Sequence, residues 1–346
     1  MDLAVERRAF LGLSAAGIAA LGSGAAFAQA GSNELAAAVA KLADLLESGY
    51  VMPDIGKRYA QMLRTKLASG GYAAITDPAQ LGDQLTADLQ AVSADNHLRI
   101  APAAALPGGP PRAPTGAPPS ARVRRRASVE DAGWLAKGVA YIRFIGFTGE
   151  PTALATVRDF MAAHASANAL IIDCRYNGGG GIDEMGVMLP YLYPRETVLA
   201  QMEMVEAIAK TRGSPFEGEV GIRDVAGPAG IARKEHFVLP HATEKRLFGA
   251  KAFYLVSKGT ASAGEHLALA FKHTGRAKLI GETTAGANHF GGFEPLGAGL
   301  AVFLPVGRAI DPTTGKDWEG TGFAPDIACA PTAAVEEALK QCGVAI

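Results

Sequence analysis

The sequence predicts an α/β protein with a small helical region ahead of the α/β part. Three observations carry that expectation. Apolar residues recur at helical spacing between residues 33 and 92, a Pro- and Gly-rich stretch interrupts the chain at 101–128, and from Val139 short apolar runs alternate with helix-like segments. The last pattern is the grammar of a largely parallel sheet with crossover helices. The 346 residues carry 33 basic and 34 acidic side chains, with 49% hydrophobic and 19% charged. That length suits two domains and a substantial core, and the composition excludes a disordered chain. The balanced charge lacks the basic footprint of a nucleic-acid binder, so no nucleic-acid partner is expected.

The N-terminus reads as an address. Arg7-Arg8 precedes an apolar, Ala/Gly-rich stretch that runs to Phe27, and Ala26-Phe27-Ala28 has the form of a signal-peptidase site. Paired arginines before such a stretch mark twin-arginine export, so residues 1–28 are expected to be a cleaved signal. The stretch is short and diluted by Gly12, Gly17, Gly22 and Gly24. Stable membrane insertion after cleavage is therefore not expected, and a periplasmic or otherwise exported location is.

Residues 29–100 read as the helical domain. Leu35, Val39, Leu42, Leu45 and Leu46 share one helical face that stops at Gly49. A second helix starts after Pro53 and ends at Ser69-Gly70-Gly71, and a third begins at Asp77, with Pro78 in the first helical position. The segment 101–128, with Arg122 and Arg124-Arg125-Arg126, reads as a solvated linker. In the α/β part, 129–330, strands are expected at Val139–Phe147, Ala169–Asp173, Lys251–Val256 and Ala277–Ile280. Helices are expected at Thr152–His164 and Ala263–Phe271, and a terminal helix at Thr332–Lys340 within 331–346. Three cysteines are too few for a disulfide framework, though an oxidising compartment would permit Cys329 and Cys342 to pair.

The best nucleophile candidate is Ser262, in Gly259-Thr-Ala-Ser-Ala-Gly-Glu265, where an apolar strand ends and a helix opens. Unpaired amides at a helix N-terminus stabilise negative charge on an attacked carbonyl oxygen. The same residues, with Glu265 three positions on, also form an ordinary capping box. Local sequence favours the cap.

Other segments change that balance. Asp173-Cys-Arg-Tyr-Asn-Gly-Gly-Gly180 follows a buried strand, Asp95-Asn96-His97-Leu98-Arg99 closes the helical domain, and Gly281-Glu-Thr-Thr284 and Trp318-Glu319-Gly-Thr-Gly-Phe-Ala-Pro-Asp326 lie further on. Together and in this order they resemble the tail-specific serine protease family, in its branch of tricorn core proteases and the interphotoreceptor retinoid-binding protein module. The resemblance spans residues 33–328, including Tyr50-Val-Met-Pro53. It implies a crotonase/ClpP-like αβ superhelix core behind a helical N-terminal domain. A PDZ domain, common in the family, has no room between His97 and Val139.

The resemblance also assigns roles. Members with a Ser–Lys dyad carry the lysine where this chain has Ala287, so the implied base is His97, with Glu319 orienting it and Asn96 supporting in place of a hydroxyl residue. Ala263 and a glycine of 178–180, Gly179 at their centre, are the implied oxyanion donors, although the glycine run is equally read as a tight turn that needs positive φ. The function implied is an exported serine peptidase that acts on a peptide or protein through an acyl-enzyme. The alternatives are a non-catalytic module binding an apolar ligand and an esterase using the same residues. Asp173 and Arg175 read as a structural ion pair, and His289 as a cleft-lining residue. His266 and His273 lie seven apart but lack a third ligand, HExxH is absent, and the contiguous glycines lack GxGxxG spacing. No metal or organic cofactor is expected.

Overall fold

The computed structural model describes residues 23–105 and 128–344. The Arg7-Arg8 pair and the Arg122–Arg126 cluster lie outside the described residues. Helix α1 (Ser23–Gly49) begins upstream of the expected cleavage site, and its leucine face leads to α2 (Pro53–Ala68) and α3 (Pro78–Val92). Proline occupies the first turn of α2 and of α3, where its missing N–H costs nothing. Asp77 caps α3 by accepting the Ala79 N–H at 2.9 Å.

The rest of the chain builds two six-stranded sheets. One is formed by β2 (Val129–Ala136), β3 (Val139–Phe144), β4 (Ala169–Asp173), β8 (Lys251–Val256), β9 (Lys278–Gly281) and β12 (Ile327–Ala328), in spatial order β12-β9-β8-β4-β3-β2. Every pair is parallel except β2 with β3. Helices α4 (Pro151–Ala163), α5 (Asp183–Met188) and α7 (Ala263–Thr274) cover one face, and α8 (Ala334–Cys342) covers the other. Strand alternation sorts the side chains: Ile142, Leu170, Ile172 and Tyr254 point to the larger core, while Tyr141, Ile171, Phe253 and Leu255 face the α8 side.

The second sheet is antiparallel and was not foreseen from the sequence. It consists of β1 (Arg99–Pro102), β5 (Thr197–Val205), β6 (Ile222–Val225), β7 (Ile231–Val238), β10 (Phe290–Gly297) and β11 (Leu300–Ile310), and the short helix α6 (Glu206–Arg212) follows β5. The N-terminal helices do not close a core of their own. Leu42, Leu46, Leu63 and Leu85 pack in one cluster with Met204, Leu300, Val302 and Leu304 of this sheet. Cys174, Cys329 and Cys342 are free thiols.

Candidate active site

Strands β4 and β8 are parallel neighbours, with Ile172 opposite Tyr254 and Asp173 opposite Leu255. The loops leaving their carboxyl ends therefore lie side by side, the usual place for a site in such a sheet. Buried Asp173 anchors the first loop through Arg175 at 2.6 Å and Arg143 at 3.1 Å, the structural pair expected. Ser262 sits at the end of the second loop, just before α7, with φ 51° and ψ −119°. Among the described residues only Ser262 and Ala298 are non-glycine with positive φ. A β-carbon in that region is strained, and the surrounding structure must hold it there.

The restraint is visible. The Ser262 N–H is shared between the Ala287 carbonyl at 3.0 Å and the Glu265 carboxylate at 3.2 Å. Fully buried Glu265 also accepts the Thr284 hydroxyl at 2.6 Å and the Gly286 and Ala287 N–H groups at 2.7 and 2.8 Å. Burial pushes its carboxyl pKa up, and these four bonds work against that shift. The capping pair read from the sequence is thus one part of a larger clamp.

The glycine run packs directly on the serine. A β-carbon on Gly179, which has φ +109°, would stand 2.7 Å from the Ser262 Cβ, and one on Gly180 would stand 1.8 Å from the Phe147 carbonyl oxygen. The Gly179 N–H is not free to serve as an oxyanion donor, because it donates to the Asn177 Oδ1 at 2.8 Å. Asn177 is fully buried and captures its own loop in an Asx-type turn. Among the described residues, the N–H groups of Ala263 and Gly180 have no acceptor. Both residues line a cavity of about 70 Å³ that opens on Ser262, with Ile182, Met202, Phe216 and Phe290 as its apolar walls.

The opposite side of the site is built around Asp95, which is fully buried. Its carboxylate accepts the N–H groups of His97 at 2.8 Å and Leu98 at 3.0 Å, the Tyr50 hydroxyl at 2.8 Å and the His289 Nδ1 at 2.8 Å. His97 is thereby held at the end of the helical segment, its ring 5.7 Å from that of Phe303. Its Nδ1 faces the Glu319 Oε2 at 3.8 Å and makes no hydrogen bond. Glu319 accepts N–H groups from Asn96 at 2.7 Å, Asn288 at 2.6 Å and His289 at 3.0 Å. Burial opposes its charge, but nearby His97 and His289 and the backbone donors keep its pKa below the usual carboxylate range.

Asn96 does not bridge the histidine and the glutamate with its side chain. Its amide donates to the Gly286 carbonyl at 2.9 Å, and only its backbone reaches Glu319. Ser262 and His97 share no hydrogen bond. They are joined through residues 287–289, since Ala287 binds Ser262 while Asn288 and His289 bind Glu319. His289, expected to line the cleft, is instead fully buried. His266 pairs with buried His236 at 2.8 Å. Asp95, His289 and Glu319 bring three possible ligand atoms within 4.8 Å of one another. The His289 Nδ1 and both carboxylates are already spent on one another and on backbone N–H groups, which leaves the His289 Nε2 without a hydrogen-bond partner, and the set reads as a hydrogen-bonded cluster.

This geometry coincides with a family match. Residues 138–329, more than half of the chain, match the family model of peptidase family S41, and residues 30–126 match the N-terminal domain of that family in eukaryotic IRBP. The chain belongs to peptidase family S41. Only residues 127–137 separate the two matches, too few for an inserted domain. Among curated proteins, the chain is 29% identical over 195 residues to a chloroplastic C-terminal processing peptidase of Tetradesmus obliquus. It is 37% identical over 75 residues to carboxyl-terminal-processing peptidase 3 of Arabidopsis thaliana. These matches cover 56% and 22% of this chain but only 35% and 14% of the relatives.

Among solved structures, the photosystem II D1 C-terminal processing protease superposes with a TM-score of 0.53 at 18% identity, over 86% of this chain and 93% of that one. A Streptococcus agalactiae lipoprotein superposes with a TM-score of 0.51 at 14% identity, over 89% and 96%. At such identities the likeness is one of fold. It extends to an N-terminal helical segment packed on the α/β core.

Proposed function

We propose that the protein is a serine peptidase in which Ser262 attacks the scissile carbonyl, His97 takes the serine proton and returns it to the leaving amine, and Glu319 orients and polarises the imidazole. The observation that carries this reading is the strained backbone at Ser262, held at a helix N-terminus beside the unbonded Ala263 N–H. A capping serine has no need of positive φ, whereas a sharp, strained strand-to-helix turn is one known way to present a nucleophilic serine. The Ala263 and Gly180 N–H groups supply the oxyanion site in this reading, with Gly180 taking the part expected of Gly179. Each such donor is worth roughly a hundredfold or more in rate, because it is aimed where charge develops.

The apolar cavity beside Ser262 suits a small apolar side chain next to the scissile bond. It shares Met202, Phe216 and Phe290 with a second groove of about 230 Å³, which offers room for further substrate residues. In this reading the His97–Ser262 hydrogen bond forms in the substrate complex, where catalytic hydrogen bonds commonly tighten. Export through the twin-arginine route is the proposed location. No helix among the described residues is long and apolar enough to cross a membrane.

The reading is tested by labelling with a fluorophosphonate and mapping the adduct by mass spectrometry. Specific labelling of Ser262, lost in Ser262→Ala, together with faster turnover of peptides than of simple esters, is expected. A folded chain that does not label is a binding module.

A further inference from the structure

Behind Glu319 lies a second histidine–carboxylate assembly that this mechanism leaves unused. His289 is fully buried, with Nδ1 on Asp95 at 2.8 Å and Nε2 facing Asp317 at 3.8 Å. Asp317 is two residues from Glu319 in the chain and pairs with Arg308 at 3.0 Å. Two imidazoles therefore flank the single segment Asp317-Trp318-Glu319, His97 on the Glu319 side and His289 on the Asp317 side. The groups facing His289 are Tyr50 from just after α1, Asp95 from the segment before His97, and Asp317 and Glu319 from the loop after β11, with Arg308 of β11 behind Asp317.

We propose that His289 is a positioning residue for the peptidase reaction, its buried imidazolium supplying the counter-charge that keeps Glu319 ionised beside a neutral His97. The inference rests on the serine-peptidase reading of Ser262. Its first support is the charge count. Asp95, Asp317, Glu319 and the Glu203 that shares Arg308 are four carboxylates, and Arg308, the Arg233 on Glu203 and a protonated His289 are three cations, so the cluster carries one net negative charge. A neutral His289 leaves two. That second charge raises the proton affinity of the carboxylates, Glu319 included, and of the base that Glu319 orients. Both effects disable the base as pH falls.

The second support is geometric. Asp95 binds His289 and the His97 N–H with one carboxylate, so the ion pair also fixes the backbone that carries the base. Burial opposes the imidazolium, yet the Asp317 and Asp95 carboxylates, with the Glu319 charge, raise its pKa to about 9.

The test follows Ser262 acylation by a fluorophosphonate against pH in the parental chain, in His289→Gln and in Asp95→Asn/His289→Gln. Glutamine keeps a hydrogen bond to Asp95 and removes the charge. The acid limb of the His289→Gln profile is expected to move up by on the order of one pH unit. The double variant restores one net negative charge and should move the limb back. An unmoved limb with a rate loss equal at every pH, or a double variant shifted further, overturns the proposal.

A readout independent of variant folding is histidine ring-nitrogen NMR of the parental chain. His289 should remain doubly protonated through neutral pH, and a neutral His289 at pH about 7 overturns the proposal outright. A parental chain that does not label at Ser262 instead removes the peptidase reading and this inference with it, a result distinct from a labelled chain whose limb does not move.

Discussion

Three buried histidines should give folding stability a maximum near pH 6.5, with losses on both sides. The alkaline side belongs to His289, whose pKa of about 9 lies well above the ordinary histidine value of about 6.5. A raised value means that the native state holds a proton the unfolded chain releases. The stabilisation is complete below about pH 6.5 and is lost as pH rises to about 9. A shift of roughly 2.5 units at about 1.4 kcal/mol each gives about 3.5 kcal/mol, most of it lost between about pH 6.5 and 9. The acid side belongs to His236 and His266, buried against each other at 2.8 Å. Burial drives both values down, that of His266 to about 4, and His236 is depressed further by the charge His266 would carry. Here the unfolded chain binds protons that the native state refuses, so stability falls as pH drops below about 6.5. The assay is urea unfolding at pH values from about 5 to about 9, with His289→Gln alongside. The parental curve should lose on the order of 3 kcal/mol, a large share of a typical domain's stability, between about pH 6.5 and 9, and the variant should lose far less. A flat parental curve over that window, or an alkaline loss undiminished in the variant, refutes the reasoning.

Gly179→Ala should cut Ser262 acylation by roughly a hundredfold or more, because its methyl would stand 2.7 Å from the Ser262 Cβ, while Gly178→Ala, with open space at its β-carbon, should keep most of the rate; equal losses in the two labelling assays would argue against packing on the nucleophile. His97→Ala should lose most of the acylation rate with circular dichroism unchanged. Glu319→Gln should lose less, and the double variant little more than His97→Ala, because the two act as a unit; parental acylation in folded His97→Ala would end the histidine mechanism. Replacing Arg7 and Arg8 with lysine should leave unprocessed chain in the cytoplasm, read by fractionation and the mature N-terminal sequence.

The helices and the parallel sheet were legible because their signals are local. Leucines at helical spacing, Pro78 behind Asp77 and short apolar runs each declare themselves within about fifteen residues. The antiparallel sheet was hidden by its composition. Strand β10 contains Gly291, Gly292 and Pro295, all strand-breaking signals, yet a β-carbon on Gly291 would lie 1.9 Å from the Leu304 carbonyl oxygen. Close approach between strands is what selects glycine there. Strand β5 buries Glu203, which reads as exposed until Arg233 and Arg308 meet it from β7 and β11. Such partners are distant in sequence, as is Asp95 for His289. The proposed preference for Gly180 over Gly179 rests on one side chain, since Asn177 takes the Gly179 N–H. Cys329 and Cys342 show the reverse limit, since their spacing permits a bond and the two thiols are free.

The segment Gly281–His289 explains how a chain with alanine at the dyad position can still assemble a site. Ala287 contributes only its backbone, its N–H to Glu265 and its carbonyl to the Ser262 N–H. The position thus sets the strained serine turn without offering a base. Asn288 and His289, the next two residues, turn their N–H groups onto Glu319. Gly286 meanwhile receives the Asn96 amide beside His97, and the His289 ring holds the Asp95 that anchors the same segment. One loop therefore fixes Ser262, the proposed nucleophile, with its carboxylate clamp at one end and His97, the proposed base, with its own carboxylates at the other. A shift in this loop has to disturb both together, which is the physical reason to expect strongly non-additive effects between substitutions on its two sides.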